Sequence, residues 1–169
     1  MKYSVKELVK SRRPVEFTFF YGGTFSQWKR CSFVEDGVKF NCAEQYMMYH
    51  KAKLFGDNGI AKQILESTNP KEQKQLGRLV SNFDENIWNE HKYEIVKRGN
   101  TLKFSQNPSI KKELMSTRTS ILVEASPYDR VWGIGIGELD NRRFNPSNWR
   151  GENLLGFALT EVREMFKNN

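Results

Sequence analysis

Between residues 31 and 55 the apolar pattern changes period, and this change constrains the fold more than any other feature of the chain. CSFVEDGVKFNC (31–42) holds two short apolar runs around Asp36-Gly37. Asp-Gly suits a two-residue hairpin turn, whose central residues need positive φ, so the segment predicts a β-hairpin. From Ala43 onward the apolar residues recur at three and four, the period of a helix. A hairpin feeding straight into a helix predicts a mixed domain rather than a helical bundle.

The remaining pattern is mostly helical. VEFTFFY (15–21), followed by Gly22-Gly23, predicts a strand and a turn, and SILVEA (120–125) predicts a second short strand. Helices are predicted over Ala43 to Phe55 and Asn58 to Ser67, after Asn69-Pro70, from Asp84 to about Phe104, and from Pro108 to Met115. A last helix is predicted from Trp149 or Arg150 to about Phe166. The expected class is α+β: a single compact, helix-rich domain around a small β-sheet. Residues 1–14 are expected to be a loose or helical lead-in, with the domain proper at 15–167.

Composition excludes several classes. With 38% apolar and 13% aromatic residues in 169, the chain can bury a full core and is not disordered. No apolar run reaches the roughly 18 to 20 residues that span a bilayer, and MKYSVKELVKSRRPVEF lacks the apolar stretch of a secretory signal. A cytoplasmic protein is expected. Cys31, Cys42, His50 and His91 are scattered without a metal-ligand spacing, so no metal site is expected. The 27 Lys and Arg against 20 Asp and Glu give +7, which favours nucleic acid, nucleotides or phosphorylated metabolites without choosing among them.

Four constellations carry possible chemistry. Glu44, Met48, Lys51 and Phe55 share one face of the first helix, beside a stripe of Ala43, Met47 and Leu54 that faces the core. A carboxylate and an ammonium there are costly unless paired or used. The plainer reading makes Asn41 the N-cap and Glu44 the third residue of a capping box. Next, Glu124 to Gly137 runs from a strand end through Asp129 and Trp132 into alternating glycines, Gly133, Gly135 and Gly137. Glycines let backbone approach a ligand, and exposed N–H groups cradle phosphate. A glycine-rich turn beside a core tryptophan fits equally well. Asn153 leads the last helix, either as a contact to ribose or base at an anion-favouring helix end or as a cap. Arg78 ends the third helix, either as a phosphate fork or as an exposed ion-pair residue. Trp88, Phe104 and Leu114 are expected in the core.

Taken in order, these pieces form a longer series. Ala43-Glu44-Gln45-Tyr46, Lys51-Ala52, Phe55-Gly56-Asp57, Gly77-Arg78, Trp88 and Lys103-Phe104 are followed by Leu114-x-x-Thr117 and Leu122-Val123-Glu124-Ala125. Asp129-x-x-Trp132-Gly133-x-Gly135, Asn153-Leu154-Leu155-Gly156 and Val162-Arg163 complete it. The series resembles the NADAR family, the YbiA-like proteins, over nearly the whole chain. Gln45 departs from it, standing where many members carry His. The resemblance implies a compact α+β domain that hydrolyses N-glycosidic bonds without metal or other cofactor. It implies one of two partners. One is a small phosphorylated ribosyl substrate, such as the ribosylaminopyrimidine phosphates of early riboflavin synthesis. The other is ADP-ribosylated nucleic acid, with ADP-ribose on guanine.

Cleaving a ribose–nitrogen bond builds positive charge on the anomeric carbon, and a carboxylate stabilises that charge or activates water. With the resemblance in view, this role is expected of Glu44. Lys51 and Asp129 are the other expected catalytic residues. Trp132, Gly133, Gly135, Arg78 and Asn153 are expected to hold base, ribose and phosphate. The rival expectation is a non-catalytic ADP-ribose or nucleic-acid binding module, in which basic and aromatic residues serve recognition alone.

Overall fold

The computed structural model describes residues 1–11 and 14–168. In chain order its elements are α1 (Val5–Lys10), β1 (Phe17–Phe20), β2 (Phe33–Glu35), β3 (Val38–Phe40), α2 (Ala43–Leu54), α3 (Asn58–Glu66), α4 (Pro70–Arg78), α5 (Glu85–Ser105), α6 (Pro108–Ser116), β4 (Ile121–Glu124) and α7 (Leu154–Asn168). The α+β class holds, with helices dominant. The chain divides into two compact units: Gln27–Pro108, and Met1–Ser26 with Ser109–Asn169. Of the expected lead-in, residues 5–10 form α1, and residues 12 and 13 lie outside the described residues.

The expected single small sheet is instead two separate two-stranded sheets among the described residues. In the Gln27–Pro108 unit β2 and β3 form the antiparallel hairpin, with Asp36 and Gly37 at φ 47° and 81° in its turn. In the other unit β1 pairs in parallel with β4, Phe17 opposite Ile121 and Phe20 opposite Glu124.

In the Gln27–Pro108 unit α2 is the central element, packed by α3, α4 and α5. Its residues Ala43 to Met48 are all buried, so its first two turns are enclosed all round rather than along one stripe. Two glycines allow this. A Cβ on Gly77 of α4 would lie 2.0 Å from Met48 Sδ, and one on Gly99 of α5 would lie 2.4 Å from Tyr46 Cδ1. Tyr46 also joins the aromatic core with Phe33 and Phe40. Its hydroxyl donates to the buried Glu35 carboxylate, which Arg98 Nε approaches to 2.5 Å and His50 Nε2 to 3.0 Å. Hairpin, α2 and α5 are thereby joined around one carboxylate.

In the other unit α7 lies on β4. Thr160 Oγ1 accepts from the Leu122 N–H at 3.0 Å, and a Cβ on Gly156 would lie 2.2 Å from the Leu122 carbonyl. Buried Arg163 donates to Thr117 Oγ1 at 2.7 Å, which ties α7 to the turn after α6. Phe104 and Leu114 are fully buried as expected, whereas Trp88 is only half-buried.

Gly99→Ala tests the close approach of α5 to α2. Alanine gains about 1 kcal/mol of helix propensity, but forcing a methyl into a packed site costs roughly 1 to 3 kcal/mol. Tyr46 is held by its core contacts and its bond to Glu35, so it has little room to yield. A net loss of stability is expected in urea unfolding.

Candidate active site

Glu44 is 3% exposed in the first turn of α2. The plainer account of it, a capping box begun by Asn41, is overturned. The N-cap is Cys42, whose Sγ accepts from the Gln45 N–H at 3.4 Å. Gln45, not Glu44, is the third helical residue, and its side chain reaches back so that Oε1 accepts from the Asn41 N–H at 2.8 Å. The Gln45 amide also donates to the carbonyls of Ile64, Leu65 and Ser67. Gln73 completes the closure, accepting from the Cys42 thiol and donating to the Ser67 carbonyl. Sequence reasoning missed this cap because sulfur is a weak acceptor and Asn a favoured cap.

The Glu44 carboxylate is therefore not part of the helix cap. Its backbone N–H donates to the Gln27 carbonyl at 2.9 Å. A buried carboxylate in a first helical turn is favoured by the helix dipole, which lessens the cost of keeping it charged.

Lys51 lies two turns further along α2 and is half-buried. Its ammonium donates to the Gly77 carbonyl at 2.8 Å, lies 4.2 Å from the Phe83 ring centre and 5.7 Å from that of Trp88. Burial first, then the Arg78 guanidinium, holds the amine below the usual lysine range. Arg78 ends α4 and is exposed. Glu44, Lys51 and Arg78 thus belong to one unit, with Lys51 and Arg78 close enough to feel each other's charge.

Asp129, Trp132, Gly133, Gly135 and Asn153 belong to the other unit, where they form one knot of backbone. Asp129 Oδ1 accepts from the N–H groups of Val131 and Trp132 at 2.9 and 2.7 Å. Its carbonyl accepts from the Gly135 N–H. Gly133 and Gly135 are buried, and their missing side chains make room for neighbouring chain rather than for an open cradle. A Cβ on Gly133 would lie 2.9 Å from the Glu124 carbonyl, and Gly135, at φ 65°, abuts Arg150 and Arg130. Trp132 is half-buried.

The last helix begins at Leu154, later than expected, because residues 150–155 are laced to this loop. The N–H groups of Arg150, Glu152 and Asn153 donate to the carbonyls of Ile134, Arg130 and Gly133. Those of Leu154 and Leu155, in the first turn of α7, donate to Val131 and Trp132. The anion-favouring helix end expected there has given these donors to the loop. Asn153 sits at φ 55°, fully buried, with Oδ1 accepting from the Glu124 N–H and Nδ2 donating to the Leu122 carbonyl, both at 3.0 Å.

Lys103, left unassigned by its pattern, is fully enclosed in α5. Burial pushes its amine down to about 8, against the upward pull of Cys31 and Cys42. Burial also raises the Cys42 thiol to about 11. Among the described residues, no three His, Cys, Asp or Glu side chains cluster as donors for a metal ion, and no helix is long and apolar enough to cross a membrane.

The chain matches the family model described as the NADAR domain over residues 18–167. It is 43% identical over 162 residues to N-glycosidase R617 of Acanthamoeba polyphaga mimivirus, an alignment covering 88% of this chain and 95% of that one. It is 42% identical over 156 residues to Protein irg-1 of Caenorhabditis elegans, covering 88% and 74%. The NMR structure of the Escherichia coli protein YbiA superposes with a TM-score of 0.74 at 25% identity, covering 90% of this chain and 86% of that one.

Two stability outcomes follow from this geometry. Asn153→Gly keeps the backbone turn but loses two buried hydrogen bonds, which costs about 2 to 3 kcal/mol. Asn153→Ala adds the left-handed backbone penalty of about 1 kcal/mol, so it unfolds at lower denaturant than the Gly variant. For Lys103, the unfolded chain holds its proton more tightly than the folded chain between about pH 8 and 10.5. Stability therefore rises with pH across that window, and below it the folded state bears the whole cost of the buried charge. Relative to Lys103→Met, the native protein should gain about 3 kcal/mol from pH 7.5 to 10.5 in chemical denaturation.

Proposed function

The chain belongs to the NADAR family, and from that premise and the placement of Glu44 we propose that it is a hydrolase of ribose–base N-glycosidic bonds. The observation that carries the reading is a buried carboxylate in the first turn of a helix whose cap is closed by other side chains. An acidic side chain so enclosed is costly to bury unless it is paired or used, and enclosed acidic groups recur where catalytic acids and bases act. The names of relatives that are themselves N-glycosidases support the same chemistry.

Glu44 stabilises the oxocarbenium-like sugar as the bond to the base lengthens, or takes a proton from the attacking water. Water adds to the anomeric carbon, and the base leaves with a proton. Lys51, held at the Gly77 carbonyl beside Arg78, binds the phosphate of the substrate. Arg78, exposed and fork-shaped, binds the same group. Trp132, expected to hold the base, is half-buried in the other unit. The side chains of Asp129, expected to be catalytic, and Asn153, expected to hold substrate, bond to the backbone around the loop that carries Trp132, and Gly133 and Gly135, also expected at the substrate, let that loop pack closely. The substrate is a phosphorylated ribosyl compound or ADP-ribosylated nucleic acid.

The test is product release, by chromatography with mass detection, from a guanine-ADP-ribosylated oligonucleotide and a ribosylaminopyrimidine phosphate in parallel. Release from the oligonucleotide identifies a nucleic-acid de-ADP-ribosylase, and release from the pyrimidine alone identifies a metabolite N-glycosidase. Glu44→Gln should lower kcat by about 10² to 10⁴-fold with binding retained. If neither substrate is cleaved at any enzyme concentration, the hydrolase reading fails and a binding module takes its place.

A further inference from the structure

The segment 79–84 joins α4 to α5 and places an aromatic ring on Lys51. Phe83 is 45% exposed, so its ring is held at the surface of the segment rather than in the core. Three features hold it there. Its ring meets that of Phe55 at 5.3 Å in an edge contact. The segment is fastened by Asp57, whose Oδ2 accepts from the Ser81 N–H at 3.0 Å while Oδ1 caps α3 through the Ile60 N–H. Gly56, at φ 73°, makes the turn that lets Phe55 and Asp57 serve both tasks. Phe55-Gly56-Asp57 is thus a bracket for a ring that sits 4.2 Å from the Lys51 ammonium.

We propose that Phe83, braced by Phe55 and Asp57, is a positioning residue that fixes the Lys51 ammonium against the Gly77 carbonyl and keeps it charged within an apolar setting. The proposal rests on the reading of Lys51 as a substrate-binding residue. The ring face attracts the cation, while its bulk keeps water away. These effects act oppositely on the proton of Lys51: the quadrupole favours the ammonium and the exclusion of water disfavours it. The charge that bears on Lys51 from a neighbouring element is Arg78 of α4, which also disfavours the ammonium. Among the described residues, no carboxylate or imidazole of α3, α5 or segment 79–84 enters that balance.

Because the two effects oppose, two substitutions separate them. Phe83→Leu keeps the bulk and removes the π face, so Lys51 should lose its proton at lower pH, by about half a unit to one unit. Phe83→Ala admits water, so the midpoint should move up toward that of an exposed lysine. Phe83→Tyr should stay near the native value. The measurement is the pH dependence of Lys51 acetylation by a small activated ester, read by peptide mass spectrometry on the whole protein, with thermal melts confirming that each variant is folded. This readout needs no substrate. A ring that merely packs on Phe55 would leave the Lys51 midpoint of Phe83→Leu at the native value, and that result overturns the proposal. In the cleavage assay KM should rise at correspondingly lower pH in Phe83→Leu, with kcat unchanged. If the acetylation midpoints move as expected while Lys51→Ala leaves KM unaltered, the ring holds the ammonium and the substrate role of Lys51 is what fails.

Discussion

The closure of the first turn of α2 is the interaction on which the Gln27–Pro108 unit depends. One amide, that of Gln45, serves the backbone of Asn41, Ile64, Leu65 and Ser67. It thereby ties the end of the hairpin to α2, the last turn of α3 and the approach to α4. Each of those backbone groups is costly to bury without a partner. A His, with two ring nitrogens, cannot serve as many groups at once, so Gln at this position enables a closure that His would not. With the cap satisfied in this way, the carboxylate one residue earlier need not serve the helix end.

The other unit follows the same principle with different residues. Asn153 occupies a left-handed backbone position that any β-branched side chain would resist. From there it bonds to β4 on both sides of Val123. The Asp129 carboxylate closes its own turn, and the glycines around it let two stretches of backbone lie against each other. Asp129, Gly133, Gly135 and Asn153 here serve as joints. Thr117 and Arg163, 46 positions apart, meet in one hydrogen bond.

Much of this was legible in the sequence because it rests on local physics. The Asp36-Gly37 turn, the helix opened by Asn69-Pro70 and the long helix starting near Asp84 all appear where the sequence places them. What was hidden depends on partners distant in sequence. The sulfur cap at Cys42 is recognisable only once Gln73 stands beside it. The late start of α7 follows from carbonyls some twenty residues upstream that take its first N–H groups. The burial of the first two turns of α2 on every side reflects Gly77 and Gly99 letting two other helices close in on Met48 and Tyr46, which the periodicity of α2 itself does not record. Alternating glycines suggested an open phosphate cradle, but glycine makes room for any neighbour, and here the neighbour is the chain itself.

The parallel pairing of β1 with β4 brings together residues about a hundred positions apart, with the whole Gln27–Pro108 unit lying between them in sequence. Closing so long a stretch of unfolded chain carries an entropy cost that grows with its length. The intervening unit is built from a tight hairpin and helices joined by short connections, so its own contacts are far more local. Proteins rich in local contacts fold faster. If the intervening unit forms first, it shortens the stretch of loose chain that the strands must close. The topology thus favours an order of assembly in which the inserted half forms early and the discontinuous half, with its buried Asn153 joint, closes around a shortened loop.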